Sequence, residues 1–409
     1  MIRTNRVLDY LVAALLGAVV FALSPLGLLL TKGYAGLNLR AVAMTLALDV
    51  FLLIWIGAIL TQGRRRRFFF HLILWTLPLV LLDGIEVVAR SVHLAEQILP
   101  VSDDSGLVNY GHLPRYFFDE TRSAPATPGW RLYRRWNSDG IFVNDLGLRT
   151  SAPTSKMSGE WRVAISGGST VWGWRVLDAD TISANVQRLL QTAARKITVY
   201  NFGIEGATLE AELLTLQRFR DAYALDEVVF FTGANDVLKA YWSATTGKTN
   251  FENFIASDFE LAKAARRATA LMQGVNASDV DKVEREVVPR ILQDNPLRRG
   301  IAAAESYCRS AELECVFALQ PMLATRKHHP GREAKLAATY ELLFPGMGAL
   351  ARAMYRDAMA AAPDGRVCDL AGIFDDQAGP LFTDHGHVDE EGNRVIAAAL
   401  VPILLKTVP

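Results

Sequence analysis

Cysteine is scarce in this chain. There are three in 409 residues, Cys308, Cys315 and Cys368, and their spacing matches no zinc or iron–sulfur ligand pattern. They read first as buried or idle thiols; in an oxidising compartment, Cys308 and Cys315 are the pair to expect in a disulfide. Net charge is absent as well. Lys and Arg together number 43, as do Asp and Glu, so no global field draws the chain to nucleic acid. No repeat and no low-complexity tract organises the sequence.

Long apolar runs are what the chain has instead. Half of it is hydrophobic (51%) and the mean hydropathy is positive, +0.16, which puts part of the chain in lipid. Three stretches approach the ~20 residues needed to cross a bilayer as a helix: Tyr10 to Leu30, Ala41 to Leu60, and Phe68 to about Val88, the last interrupted by Pro78, Asp83 and Glu86. A cleaved signal peptide is the competing reading of the first. Its length, the lack of a small-x-small cleavage site and the two further spans argue against it. Residues 1–100 carry nine Lys/Arg against five Asp/Glu, a net +4, leaving −4 for the rest. Arg3 and Arg6 precede the first span, Arg64 to Arg67 lie between the second and third, and only Lys32 and Arg40 lie between the first and second. The positive-inside rule then places the N-terminus in the cytoplasm and everything after about residue 90 on the far side, the periplasm in a Gram-negative bacterium. Asp49 falls inside the second span, where a carboxylate marks either polar helix packing or contact with a partner. Asp83 and Glu86 fall near the outer interface, within reach of water.

Residues 93–160 read as a lead-in of loops and short strands, rich in Asp and Pro. Within it, Asn144 to Arg149 form a compact turn that reads as packing against the next domain. From Trp161 the pattern alternates. Strands are expected at Arg162–Ile165, Ile197–Asn201, Glu227–Thr232 and Cys315–Leu319. Helices are expected at Thr181–Ala194, Leu209–Ala222, Ile301–Glu312 and Gly392–Leu405. Residues of about 240–300 break the alternation as a charged, helix-prone insertion. Alternating strands and helices predict a three-layer α/β sandwich with a mainly parallel sheet, whose ligands sit at the carboxyl ends of the strands. The expected organisation is a membrane domain over 1–92, a lead-in over 93–160 and an α/β domain over 161–409.

Several chemistry-bearing residues fall after such strands. Ser169, in Gly167-Gly168-Ser169-Thr170, follows a strand and opens a helix, so its hydroxyl stands at a strand end and its N–H at a helix N-terminus. A serine hydroxyl needs a base. Of seven histidines, His385 and His387 lie in Asp384-His385-Gly386-His387, ahead of the last helix. An Asp three residues before a His on a turn can orient the imidazole, which favours His387 with Asp384; His385 is the alternative. A zinc site built from the two histidines with Asp389 and Glu390 is a weaker reading, because no helix-face spacing supports it. Gly206 can offer an unobstructed backbone N–H and Asn235 a side-chain amide to a developing oxyanion. Alone, each of these is an ordinary turn residue. The Gly-x-Ser-x-Gly elbow is lacking, since position 171 is Val.

In order and context these blocks resemble the SGNH/GDSL hydrolase superfamily over about residues 160–405. Gly167 to Thr170 resemble the first block, Gly206 carries the second, Gly233-Ala234-Asn235-Asp236 the third, and Asp384-x-x-His387 the fifth. The turn Asn144–Arg149 also resembles a subgroup with a Gly-Gly-Ser-Thr first block. Two positions depart from the family pattern: Gly168 stands where Asp is usual and Val388 where Pro often follows the histidine. The resemblance implies an SGNH-like, flavodoxin-like fold, with Ser169 as nucleophile, His387 as base and Asp384 orienting it. It also implies an oxyanion hole from the Ser169 N–H, Gly206 and Asn235, and neither cofactor nor metal. The expected activity is hydrolysis of acyl esters on cell-envelope or exported glycans. A transferase that passes the acyl group to a polysaccharide hydroxyl beside a membrane acyl-donor partner is the alternative. A non-catalytic assembly or glycan-binding module is a third reading. Expected partners are an acylated small-molecule or glycan substrate, the bilayer and that membrane protein, with no nucleic acid.

Overall fold

A computed structural model of the chain describes residues 12, 13, 15, 17, 39–61, 63–102, 115–117, 131–133, 136–138, 140–191, 196–245, 260–275, 277–362 and 366–406. The chain divides into two compact units, residues 1–98 with 249–267, and residues 99–248 with 268–409. The helical insertion thereby shares its residues between both.

The first unit contains α1 (Leu39–Leu60), α2 (Gly63–Ser91) and the short α3 (Leu94–Ile98). Among the described residues, α2 is the one helix long and apolar enough to cross a membrane; Asp49–Leu60 is a shorter apolar stretch. The span expected at Tyr10 to Leu30 lies almost wholly outside the described residues. Arg64 to Arg67, expected in a loop, lie in the first turns of α2. The helix can start there because arginine is a good helix former and its charge can extend to water beside an apolar stem. Glu86, expected to face water, is buried: its carboxylate accepts from Arg90 Nη2 at 2.6 Å and from the Leu261 N–H at 2.9 Å.

The second unit begins with two short antiparallel pairs, β1 (Arg115–Phe117) with β2 (Arg131–Tyr133) and β3 (Trp136–Ser138) with β4 (Ile141–Val143). Its body runs β5 (Glu160–Gly167), α4 (Ser169–Trp172), α5 (Ile182–Leu190), β6 (Lys196–Gly203), α6 (Leu209–Tyr223), β7 (Glu227–Thr232) and α7 (Ala234–Thr245). The helical stretch α8 (Glu260–Gln273), α9 (Ala277–Lys282) and α10 (Val288–Gln293) follows. Then come α11 (Pro296–Ser310), β8 (Glu314–Leu319), α12 (Arg332–Leu343), α13 (Met347–Ala361), β9 (Val367–Asp369) and α14 (Glu390–Leu404).

The five strands form one parallel sheet in the order β6-β5-β7-β8-β9. Strands buried on both faces read as unbroken apolar runs, and β7 (Glu-Val-Val-Phe-Phe-Thr) is buried at every position. Helices cover both faces, which gives the expected three-layer α/β sandwich. The strand order reverses direction at β5, so the crevice between the carboxyl ends of β5 and β7 is where such a sheet binds ligands. Local signals set the helix starts: Thr181 caps α5 through the Ala184 N–H, and Asp389 caps α14 through the Gly392 N–H. Cys308, near the end of α11, is disulfide-bonded to Cys315 in β8, closing the turn between them.

Candidate active site

Strand β5 ends at Gly167, and α4 starts with Ser169, so the serine stands at the carboxyl end of a central strand. On the far side of the sequence, the loop before α14 is closed by a bridge between Phe382 and Val388 and by the Thr383 N–H donating to the His387 carbonyl at 2.9 Å. Val388, where the family pattern often has Pro, is thus a buried bridge residue.

These two segments meet. The Ser169 Oγ lies 2.6 Å from His387 Nε2, and His387 Nδ1 lies 2.6 Å from Asp384 Oδ2. With Nδ1–H donating to the carboxylate, Nε2 is free to accept the serine proton. Asp384 Oδ1 accepts from the backbone N–H groups of His387 (2.8 Å) and Gly386 (3.0 Å), which fixes the carboxylate against the imidazole. Burial alone would raise the Asp384 carboxyl. The attraction and hydrogen bond of His387, the field of His385 and the Gly386 N–H outweigh it and hold the carboxyl well below the usual range. His385 points elsewhere: its Nδ1 lies 3.3 Å from the Tyr340 hydroxyl and 3.6 Å from Asp384 Oδ1. Burial lowers its imidazole against the pull of Asp384.

Gly206 occupies the turn after β6 at φ +75°, a conformation that favours glycine. Asn235 opens α7 after β7, and its Nδ2 donates to the Ala207 carbonyl at 2.8 Å, leaving a second N–H on the amide. A Cβ at position 168 would come within 2.4 Å of the Asn235 Nδ2. Glycine, in place of the usual Asp, lets that amide lie directly against the backbone leading into Ser169. Among the described residues no group of three or more His, Cys, Asp or Glu could hold a metal ion.

The arrangement can move a proton from a hydroxyl to an imidazole held in one tautomer, and the Asn235 amide lies against the backbone of Gly168, next to Ser169. That is the equipment of acyl transfer. A family model described as GDSL-like Lipase/Acylhydrolase matches residues 137–400. The chain belongs to this family. It is a serine hydrolase-type enzyme. Solved structures similar to the GDSL-like chain include an acetyl xylan esterase, AlAXEase, at 15% identity over 59% of this chain and 99% of that chain, with a TM-score of 0.35. TesA follows at 13% identity over 59% and 97%, TM-score 0.36. The lipase/acylhydrolase from Enterococcus faecalis is similar at 15% identity over 61% and 97%, TM-score 0.34. No curated protein gave a match.

Some residues of the GDSL-like site carried no separate signal in the sequence. Thr170 Oγ1 donates to the Gly386 carbonyl at 3.0 Å, while Gln320 Nε2, just past β8, donates both to that carbonyl (2.9 Å) and to Thr170 Oγ1 (2.8 Å). These bonds tie the serine segment to the histidine loop across more than 200 residues of chain. Trp174 places its ring 6.1 Å from that of His387. A glutamine after a strand is a common residue, and only the return of the last loop gives it a partner.

Proposed function

We propose that the chain is an extracytoplasmic acyl-ester hydrolase acting on acylated, chiefly acetylated, cell-envelope or exported glycans. In this reading three N-terminal helices hold it in the bacterial inner membrane, with the N-terminus cytoplasmic. The observation that carries the chemistry is the chain of short contacts from Ser169 through His387 to Asp384. Ser169 Oγ attacks the acyl carbonyl as His387 Nε2 takes its proton. The Ser169 N–H, the Gly206 N–H and the Asn235 amide receive the negative oxygen. His387 then protonates the departing sugar oxygen as its bond to the acyl carbon breaks, releasing the sugar alcohol and leaving an acyl-serine, and a water molecule activated by His387 releases the acid. Asp384 keeps the imidazole in the required tautomer and stabilises its cation. Loss of one oxyanion donor in such sites costs roughly 2.7–4 kcal/mol of transition-state stabilisation.

The location is supported by the apolar helix α2 and by the Cys308–Cys315 bond, since disulfides persist in oxidising compartments. The test is turnover of an aryl acetate by the purified protein, with and without added polysaccharide. Turnover that needs no polysaccharide and disappears in Ser169→Ala supports the hydrolase. Turnover only with a polysaccharide acceptor overturns it in favour of an acyltransferase. No turnover and no acyl transfer in a folded sample leaves a glycan-binding or assembly module.

A further inference from the structure

The nucleophile stands on a helix of a single turn, α4. So short a helix does not sustain itself: nucleation is unfavourable and nearly all its carbonyls lack helical partners. The Ser169 carbonyl is taken by the N–H groups of Gly173 (3.0 Å) and Trp174 (2.9 Å). The Thr170 carbonyl also accepts the Gly173 N–H (3.2 Å), the Val171 carbonyl accepts Asn201 Nδ2 (2.8 Å), and the carbonyls from Trp172 onward are met by one arginine. Arg149 Nη1 donates to the carbonyls of Trp172 (3.1 Å) and Gly173 (2.8 Å), and its Nη2 to that of Val176 (2.7 Å). Its Nε donates to Asp178 Oδ1 at 2.6 Å, and Asp178 Oδ2 in turn accepts the Phe142 N–H from β4 at 2.7 Å. The Arg149 guanidinium carbon lies 4.6 Å from the centre of the Trp172 ring, and the side chain is fully buried.

The held segment is one that would not keep its shape alone. Gly173 (φ +90°) and Arg175 (φ +68°) are both left-handed, and for Arg175 that is an uncommon conformation which its surroundings must enforce. Between them, Trp174 supplies both the N–H on the Ser169 carbonyl and the ring beside His387. The Asn201 amide holds the turn at Val171, and the Arg149 guanidinium holds the 172–176 backbone that carries Trp174, the wall beside the base.

We infer that Arg149 is a positioning residue for Ser169 and His387, acting through the 172–176 segment without touching substrate. The requirement is for the planar fork of arginine: a lysine ammonium cannot serve three carbonyls and a carboxylate in these directions. The inference rests on Ser169 being the nucleophile.

The experiment uses the full-length protein in detergent, an aryl acetate substrate, and fluorophosphonate titration to count competent sites. Arg149→Lys is expected to lower kcat per titrated site by about 10- to 100-fold with KM within about twofold, the scale of a small misplacement of reacting groups. Fluorophosphonate is expected to react with it more slowly by a similar factor. Arg149→Ala is expected to regain activity with added guanidinium and not with methylammonium. A wild-type kcat per titrated site in Arg149→Lys overturns the inference, because a residue needed only for folding changes the number of sites and not their rate. If Arg149→Lys does not fold, Asp178→Asn replaces it, with a loss of about 3- to 10-fold per site expected and no loss overturning the proposal. Labelling of Ser169→Ala equal to wild type would instead sink the assignment of the nucleophile.

Discussion

Ser169, His387 and Asp384 were legible as residue types because their order along the chain and their places after strands carry chemical meaning. The Asp384-x-x-His387 spacing favours His387 over His385, but spacing alone places neither imidazole beside Ser169. On the loop closed by the Phe382–Val388 bridge, His387 reaches Ser169 and His385 reaches Tyr340. His387→Gln is accordingly expected to lower aryl acetate turnover by about 10³-fold or more, on the scale of losing the base of a serine triad. His385→Gln is expected to retain most of it. Equal losses in both would contradict the geometry. A second residue-scale effect concerns pH. Burial pushes Asp236 up to about 6, against the Leu209 N–H that it accepts, and pushes its neighbour Glu212 well above the ordinary carboxylate range with help from Asp236. A carboxyl whose folded value is raised favours the folded state while neutral. That stability is complete below the unfolded value of 3.8 and is lost as pH rises through about 6. Denaturant unfolding of the wild type and Asp236→Asn at pH 4 and pH 7.5 checks this. The amide stays neutral, so the variant should gain about 2 kcal/mol on the wild type across that interval; a constant difference would refute it.

The elements of the sheet were read from apolar runs and turn residues, and β7 was found at its full extent because it is buried on both faces. β9 was not, since Val367-Cys368-Asp369 is too short to show any alternation. The insertion was recognised as helical, but its attachment was invisible. Glu86 looked like an interfacial carboxylate able to reach water, and its partner is the N–H of Leu261, 175 residues away, in the first turn of α8. A carboxylate at a helix N-terminus satisfies an orphan donor and suits the helix dipole. Two turns on, Arg267 Nη2 donates to Glu96 Oε1 of α3 at 2.8 Å. Residues 260–267 are therefore fastened to the C-terminal part of α2 and to α3 by two charged contacts. In Glu86→Ala, amide exchange at Leu261 is expected to quicken by about tenfold, the equivalent of one hydrogen bond of ordinary net strength. Hydrogen exchange read by mass spectrometry over 260–267 gives the answer, and unchanged rates there would mean that Glu86 does not hold the helix.

At the scale of the molecule, composition separates an apolar, basic N-terminal part from an α/β part, and the family match begins at residue 137, close to where β3 and β4 form. The lead-in of loops and short strands is partly a component of the enzyme: Asn144 Oδ1 accepts the N–H groups of Leu146 and Leu148 and shapes the turn that delivers Arg149. Its role depends on contacts with residues 172–178, and a local pattern does not encode them. The two ends of the α/β unit meet to activate Ser169. The most direct measurement is fluorophosphonate labelling of the full-length protein beside Ser169→Ala and His387→Ala. One labelled site is expected in the wild type, at Ser169, and none in either variant. Labelling that persists in Ser169→Ala, or a folded wild type that takes no label, would contradict it.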